Sequence, residues 1–166
     1  MKEAGYRVHF EEFEFPFFEE RVPPVLLVSS PDGRQEPAPA AALRTLTNSG
    51  SSNVTARLRT VSLGLAEGPP PASASGCKTT DFEEFERGLV ALIRRGTCTF
   101  QTKVENAVAV GAAGVVLMNE GTEGRTDAFS GQLSQLAPIP VVGVSYDLGR
   151  SLEIAAPASR SPIRLS

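Results

Sequence analysis

The sequence predicts an α+β fold: a β-sandwich or open β-barrel of mixed strands flanked by two short helices. Three observations carry this expectation. Along most of the chain, apolar residues either alternate with polar ones or run in short uninterrupted blocks, both of which are strand patterns. Only two stretches keep helix spacing, one around Thr102 to Ala113 and one after Ser145. Between them, "LVALIRRG", "TFQTKVENAVAVGAAG" and "VVLMNE" read as strand, helix, strand. At 166 residues, with 41% hydrophobic and 21% charged residues, the chain has the balance of one globular domain with a sizeable core.

In order along the chain, "KEAGY" reads as the last turn of a helix capped by Gly5. Val8, Phe10, Phe13, Phe15 and Phe17 then alternate as a first strand, with Glu11-Glu12 as a bulge and Pro16 at an edge position. "PPVLLVSSPDG" is a second strand running into a turn at Pro31-Asp32-Gly33. From Arg34 the chain reads as loop, with a short strand at Leu43 to Leu46 and a turn at Asn48-Ser49-Gly50. Val54, Ala56, Leu58, Val61, Leu63 and Leu65 alternate as one long or bent strand. "AEGPPPASASGC" is loop by composition, held extended by three prolines, and "TTDFEEF" suits a single helical turn capped by Thr80 or Asp81.

After Gly88 comes a nearly continuous apolar strand of the kind buried on both faces. Val104, Ala107, Val108, Gly111 and Ala112 then fall on one helical face, Thr99 stands at the N-cap position, and Gly111 and Gly114 end the helix. "VVLMNE" returns as a strand, completing a β-α-β unit. "GTEGRTDAFSGQLSQLA" has no steady period and reads as a long surface loop, the kind of segment that carries binding on a rigid scaffold. "PIPVVGVS" is a third buried strand, Ser145 caps the second helix, and "SPIRLS" is a closing strand.

Several functions are excluded by what is missing. A net charge of −3, with basic residues scattered singly or in pairs such as Arg94-Arg95, gives no nucleic-acid footprint. No apolar run reaches the roughly 20 residues that cross a bilayer, and "MKEAGYRVHF" lacks a signal peptide's apolar core. One histidine and two cysteines make no usual zinc site without several carboxylates. "GVSYD" lacks the second glycine of a nucleophile elbow, and "GAAGVV" ends a helix instead of opening one on a phosphate. The acidic pairs Glu19-Glu20 and Glu83-Glu84 read as solvated faces. Asn53-Val54-Thr55 fits a glycosylation sequon, which has meaning only if the parent protein is secreted by a eukaryote.

The two cysteines leave alternatives open. Cys98 stands at the start of a helix, where the dipole favours a thiolate, so a nucleophilic role has a physical basis. Such a thiol needs a base, and the single histidine, His9, lies far away in sequence within an acidic, aromatic stretch. Cys77, about twenty residues upstream, makes a pair with it: free thiols in a reducing cytosol, a disulfide in a secreted protein. Closing a loop of that length stabilises a fold by roughly 3 kcal/mol.

The run "GLVALIRRGTCTFQTKVENAVAVGAAGVVLMNEG", followed by "APIPVVGVSYDLGRSL", closely resembles the protease-associated (PA) domain. The matching positions are Arg95, Gly96, Cys98, Phe100, Lys103, Ala107, Gly111, Ala112, Gly114, Val115, Asn119, Ile139, Pro140 and Val141. Upstream, "GYRVHFEEFEFPFFEERVPPVLLVSS", "NVTARLRTVSLGL" and "SGCKTTDF" resemble the version inserted in secreted M28-type zinc aminopeptidases, so the likeness covers nearly the whole chain. It implies a Cys77–Cys98 disulfide, a secreted parent, and one PA domain over residues 1–166, with its core at 77–155, cut from a larger peptidase. It also implies that the chain itself is inert: the zinc and the catalytic residues belong to a peptidase domain in cis, and this chain has no cofactor. The function implied is that of a lid or docking surface for peptide or protein substrates. Candidate contacts are Arg95, Gly96, Thr97, Asn119, Glu120, Gly121 and Phe129, because the turn "RRGTC" and the loop "NEGTEGRTDAFSG" lie at the ends of buried strands. The domain also occurs in subtilisin-like serine proteases, sorting receptors and membrane-bound ubiquitin ligases, where it binds proteins.

Overall fold

The structure is a computed structural model that describes residues 5, 9–15, 17–29, 34–62, 73–156 and 163–165. Two sheets form its frame. The smaller contains β1 (Leu26–Ser29), β2 (Gln35–Pro37), β4 (Val54–Ala56) and β9 (Ile163–Leu165), in the antiparallel order β2-β1-β9-β4. The larger contains β3 (Leu43–Thr45), β5 (Leu58–Thr60), β6 (Val90–Arg94), β7 (Gly114–Met118) and β8 (Val141–Val144). Its order is β3-β8-β7-β6-β5, with β5 to β8 parallel and β3 antiparallel to β8. Helices α1 (Phe100–Ala109) and α2 (Tyr146–Ala155) complete the α+β architecture.

The larger sheet is covered on both faces, which is why its central strands read as unbroken apolar blocks. Ala91, Ile93, Val115, Leu117 and Val141 pack with Val104 and Ala107 of α1, with Phe82, and with Leu133 of the loop before β8. The alternate residues, Val90, Leu92, Val116, Met118, Val142 and Val144, face Leu26, Ile163 and Leu165 of the smaller sheet and Leu152 of α2. Each strand residue therefore finds an apolar partner whichever way it points.

The stretch from Val54 is not one bent strand. β4 pairs with β9 in one sheet and β5 with β6 in the other, so the chain changes sheets across Arg57, whose carbonyl accepts from Val90 N at 2.9 Å. Alternation on both sides of Arg57 hides the corner, since it reports a buried face and not which sheet supplies it. β2 is an edge strand that periodicity misses: its three residues are exposed and it is held by backbone pairing to β1, with Pro37 on the tolerated edge.

Among the described residues the expected first strand does not form. Described residues 9–15 and 17–20 form no strand, and Phe10, Phe13 and Phe17 are 82%, 81% and 79% exposed. Period-2 alternation produces a strand only where an edge accepts the backbone and a core accepts the apolar side. Among the described residues the segment meets neither. It is tied on at Glu20, whose carboxylate accepts from Thr45 Oγ1 at 2.6 Å.

Helix α1 begins at its expected cap, Thr99, whose hydroxyl accepts from Thr102 N at 3.1 Å. It ends earlier than the apolar spacing implies. Gly111 takes φ +83°, Ala112 N bonds back to Ala107 O and Gly111 N to Val108 O, both at 2.9 Å, closing a Schellman turn. Ser145 caps α2 as expected. In the short 3-10 turn Thr79–Phe82 the N-cap position falls on Lys78, not on Thr80 or Asp81, with no side-chain cap bond; the Asp81 carboxylate accepts from Lys78 N at 3.0 Å. Gly5 has the left-handed φ of +80° that suits a helix cap, while the expectations at the other residues of Lys2–Tyr6 and at Val8, Pro16, Pro31-Asp32-Gly33, Leu63, Leu65 and the proline run lie outside the described residues. Among the described residues no helix is long and apolar enough to cross a membrane.

Candidate functional site

Because β5 to β8 are parallel, their carboxyl ends share one edge, where parallel sheets place their ligands. The strands follow one another across the sheet without a reversal, so no crevice opens between diverging connections. The chemistry of this edge rests on the residues that follow each strand: Arg95 to Cys98 after β6, Asn119 to Gly121 after β7, and Phe129 from the loop before β8.

Arg95 stands at the centre. Its backbone N donates to Met118 O at 2.8 Å, and its guanidinium carbon lies 5.0 Å from the Phe129 ring centroid and 5.8 Å from that of Phe100. The two rings stack at 5.4 Å, so the cation rests against an aromatic pair and remains partly exposed. Asn119 and Glu120 play a different part. Asn119 is buried; its Oδ1 accepts from Glu120 N at 3.0 Å and from Arg95 Nη1 at 3.5 Å, while its Nδ2 donates to Asp127 O at 2.8 Å. Glu120 is buried, pairs with Arg125, and its carbonyl accepts from Arg94 Nη2 at 2.6 Å. Gly121 turns the chain at φ +85°. These three shape the loop that carries Phe129, and only Arg95, Thr97 and Phe129 of the group offer side chains to solvent.

Sequence reasoning missed Phe100, which completes the aromatic cradle, and Arg94, which lies 5.7 Å from the Tyr146 ring. The signal for both was present: Phe100 is the last residue of the R-G-x-C-x-F pattern, and Arg94 is the neighbour of Arg95. It also did not single out Ser73. That residue bridges to Gly96, and its carbonyl accepts from Thr97 N at 3.0 Å.

Cys77 and Cys98 are joined in a disulfide with Cα atoms 5.8 Å apart. Cys98 is therefore not a free nucleophile, and His9 sits on the exposed N-terminal segment beside Glu11. Under the disulfide lies Lys103, fully buried. Its Nζ donates to Ser75 O and to Cys77 Sγ, the latter at 3.7 Å, while Asn106 Nδ2 donates to Gly76 O at 3.0 Å, so α1 holds the loop that the disulfide staples.

Burial pushes the Lys103 ammonium down from 10.5 to about 8, against the opposing pull of Asp81. A folded state that binds its proton less tightly than the unfolded chain gains stability as pH rises through 8 and is penalised below it. Relative to Lys103→Met, the oxidised protein is expected to gain about 2 kcal/mol between pH 7 and 9.5. Urea unfolding at the two pH values checks this; equal shifts for both proteins would refute it.

Among the described residues no group of three or more His, Cys, Asp and Glu side chains is arranged to hold a metal ion.

The PA domain family model matches residues 55–152. An aminopeptidase of Pseudomonas aeruginosa is 35% identical over 156 residues, covering 90% of this chain and 28% of that protein. Among solved structures, an aminopeptidase from Aneurinibacillus sp. strain AM-1 is 25% identical with a TM-score of 0.65, over 99% of this chain and 34% of that one. A zinc aminopeptidase from Bacillus subtilis is likewise 25% identical, with a TM-score of 0.59, over 87% of this chain and 31% of its own. The chain thus spans about a third or less of the length of these relatives. With the fold, the R-G-x-C-x-F turn and the family match in agreement, the chain belongs to the PA domain family.

Proposed function

We propose that this chain is the non-catalytic PA domain of a secreted, zinc-dependent M28-type aminopeptidase, lying beside the catalytic domain as a lid that contacts peptide or protein substrates. The observation that carries the reading is likeness to an aminopeptidase over 90% of this chain but only 28% of that protein, combined with the lack of a metal-ligand cluster among the described residues. The zinc and the hydrolytic step belong to the rest of such a protein. Two features support a docking role. The N-terminal segment exposes Phe10, Phe13, Phe15 and Phe17 between glutamates, more apolar surface than an isolated domain ordinarily leaves in water. The disulfide fits an oxidising compartment outside the cytoplasm.

Substrate contact is assigned to the Arg95, Phe100 and Phe129 cluster, a cation on an aromatic pair suited to peptide carbonyls, carboxylates and apolar side chains. In the full-length enzyme, Arg95→Gln with Phe129→Ala is expected to change kcat/KM on long peptides by about tenfold or less, the worth of one or two peripheral contacts. Hydrolysis of a single aminoacyl anilide should stay as in the wild type. Equal effects on both substrates, or none on either, would remove this cluster from substrate recognition.

A further inference from the structure

The surroundings of the disulfide are unequal. Lys103 Nζ donates to Cys77 Sγ at 3.7 Å, and Thr97 Oγ1, which donates to Ser73 O at 3.5 Å, lies 3.6 Å from the same sulfur. Among the described residues no donor reaches Cys98 Sγ. Cys98 precedes the Thr99 cap of α1, so the helix dipole acts on it as well, but through no hydrogen bond to its sulfur among the described residues. Lys103 is a buried cation with no anion in contact among the described residues; Asp81, the acidic group that acts on it, is bound to Lys78 N. An anion formed at Cys77 would give that ammonium a direct partner, where the neutral sulfur gives it only a weak acceptor.

We infer that the Cys77–Cys98 bond is a directed thiol-exchange site, in which an incoming thiolate attacks Cys98 and Cys77 leaves as a thiolate held by Lys103. Exchange is governed by the leaving sulfur, which departs faster as its thiolate is better stabilised. In the first step an external thiolate forms a bond to Cys98 Sγ, the Cys77–Cys98 bond breaks, and its electron pair goes to Cys77. If the reagent is a dithiol, its second thiolate attacks its own sulfur in the mixed disulfide and releases Cys98, which takes a proton. The dithiol is oxidised by two electrons and the protein disulfide is reduced by two. The partner class is a dithiol oxidoreductase or small thiol that meets the partly exposed "RGTC" turn. The consequence is local, because Cys77 and Cys98 join the loop before the 3-10 turn to the residues that follow Arg95.

The test uses the oxidised chain and reduced glutathione, quenched early with acid and N-ethylmaleimide, with the two cysteines mapped by peptide mass spectrometry. Glutathione on Cys98 with maleimide on Cys77 is expected to exceed the reverse by about fivefold or more, because the better-stabilised thiolate leaves faster. Equal partition, or glutathione mainly on Cys77, would overturn the assignment without any variant being made. In Lys103→Met, the preference should shrink and opening by dithiothreitol should slow. An unchanged preference in a folded variant would show that Lys103 does not direct the exchange.

Discussion

Replacing both cysteines, as C77A/C98A, is expected to lower the unfolding free energy by about 3 kcal/mol, the chain-entropy effect of a cross-link between residues 21 apart. For a domain of ordinary marginal stability that is a large share of the whole. The loss falls on one region. The staple joins the loop at Ser75 to Cys77 to the start of α1, and Lys103 and Asn106 also reach that loop from α1, so all three ties bridge the same gap. Urea unfolding at neutral pH should give a lower midpoint for the variant, and the wild type unfolded under strong reductant should behave like it. A variant within about 1 kcal/mol of the oxidised wild type would mean that α1 holds the loop without the cross-link.

Gly96→Ala is expected to be at least as damaging, by about 3 kcal/mol or more, because its cost is steric overlap with backbone. A β-carbon at Gly96 would lie inside the Ser73 carbonyl, with Ser73 C and N both 2.7 Å away. Main chain cannot rotate aside as a flexible side chain does. Residues 73–77 would have to move, breaking the Ser73–Gly96 bridge, the Thr97 N to Ser73 O bond and the hold on Ser75, whose Oγ links Val61 O to Arg94 N. Cys77 would be displaced with them. The measurement is thermal unfolding together with a count of free thiols after oxidative folding. Gly124→Ala is the control: φ is +72° there, but nothing lies within 4 Å of an added β-carbon, so only the cost of about 1 kcal/mol for a left-handed non-glycine residue applies. If the two variants melt together, close approach to Ser73 is not what requires glycine at Gly96.

Most of the larger sheet was legible in the sequence. Apolar blocks at β6, β7 and β8 mark strands buried on both faces, and the caps at Thr99 and Ser145 act over three residues, a range that sequence spacing captures directly. The R-G-x-C-x-F pattern also places Arg95, Cys98 and Phe100 on one turn. Their neighbours were less legible. Asn119 and Glu120 close the strand "VVLMNE" and were expected as contact residues, yet they are buried and turned inward, because the loop folds back so that Asp127 O accepts from Asn119 Nδ2 and Arg125 pairs with Glu120. Lys103 carries a charge that normally marks a surface position, and only the docking of α1 on the 75–77 loop puts it inside.

By itself, then, the sequence determined the strands β6 to β8 and the two helices, the faces they bury, the caps of α1 and α2 and the family pattern, all of which depend on spacing within a few residues. The tertiary structure alone decided that the chain crosses between sheets at Arg57, that the Phe-rich segment finds no strand partner, and that Arg95 meets Phe129. It alone also decided that Lys103 lies under the disulfide. Each of these joins residues from separate segments, and their contacts depend on how sheets and helices pack, which no local period records.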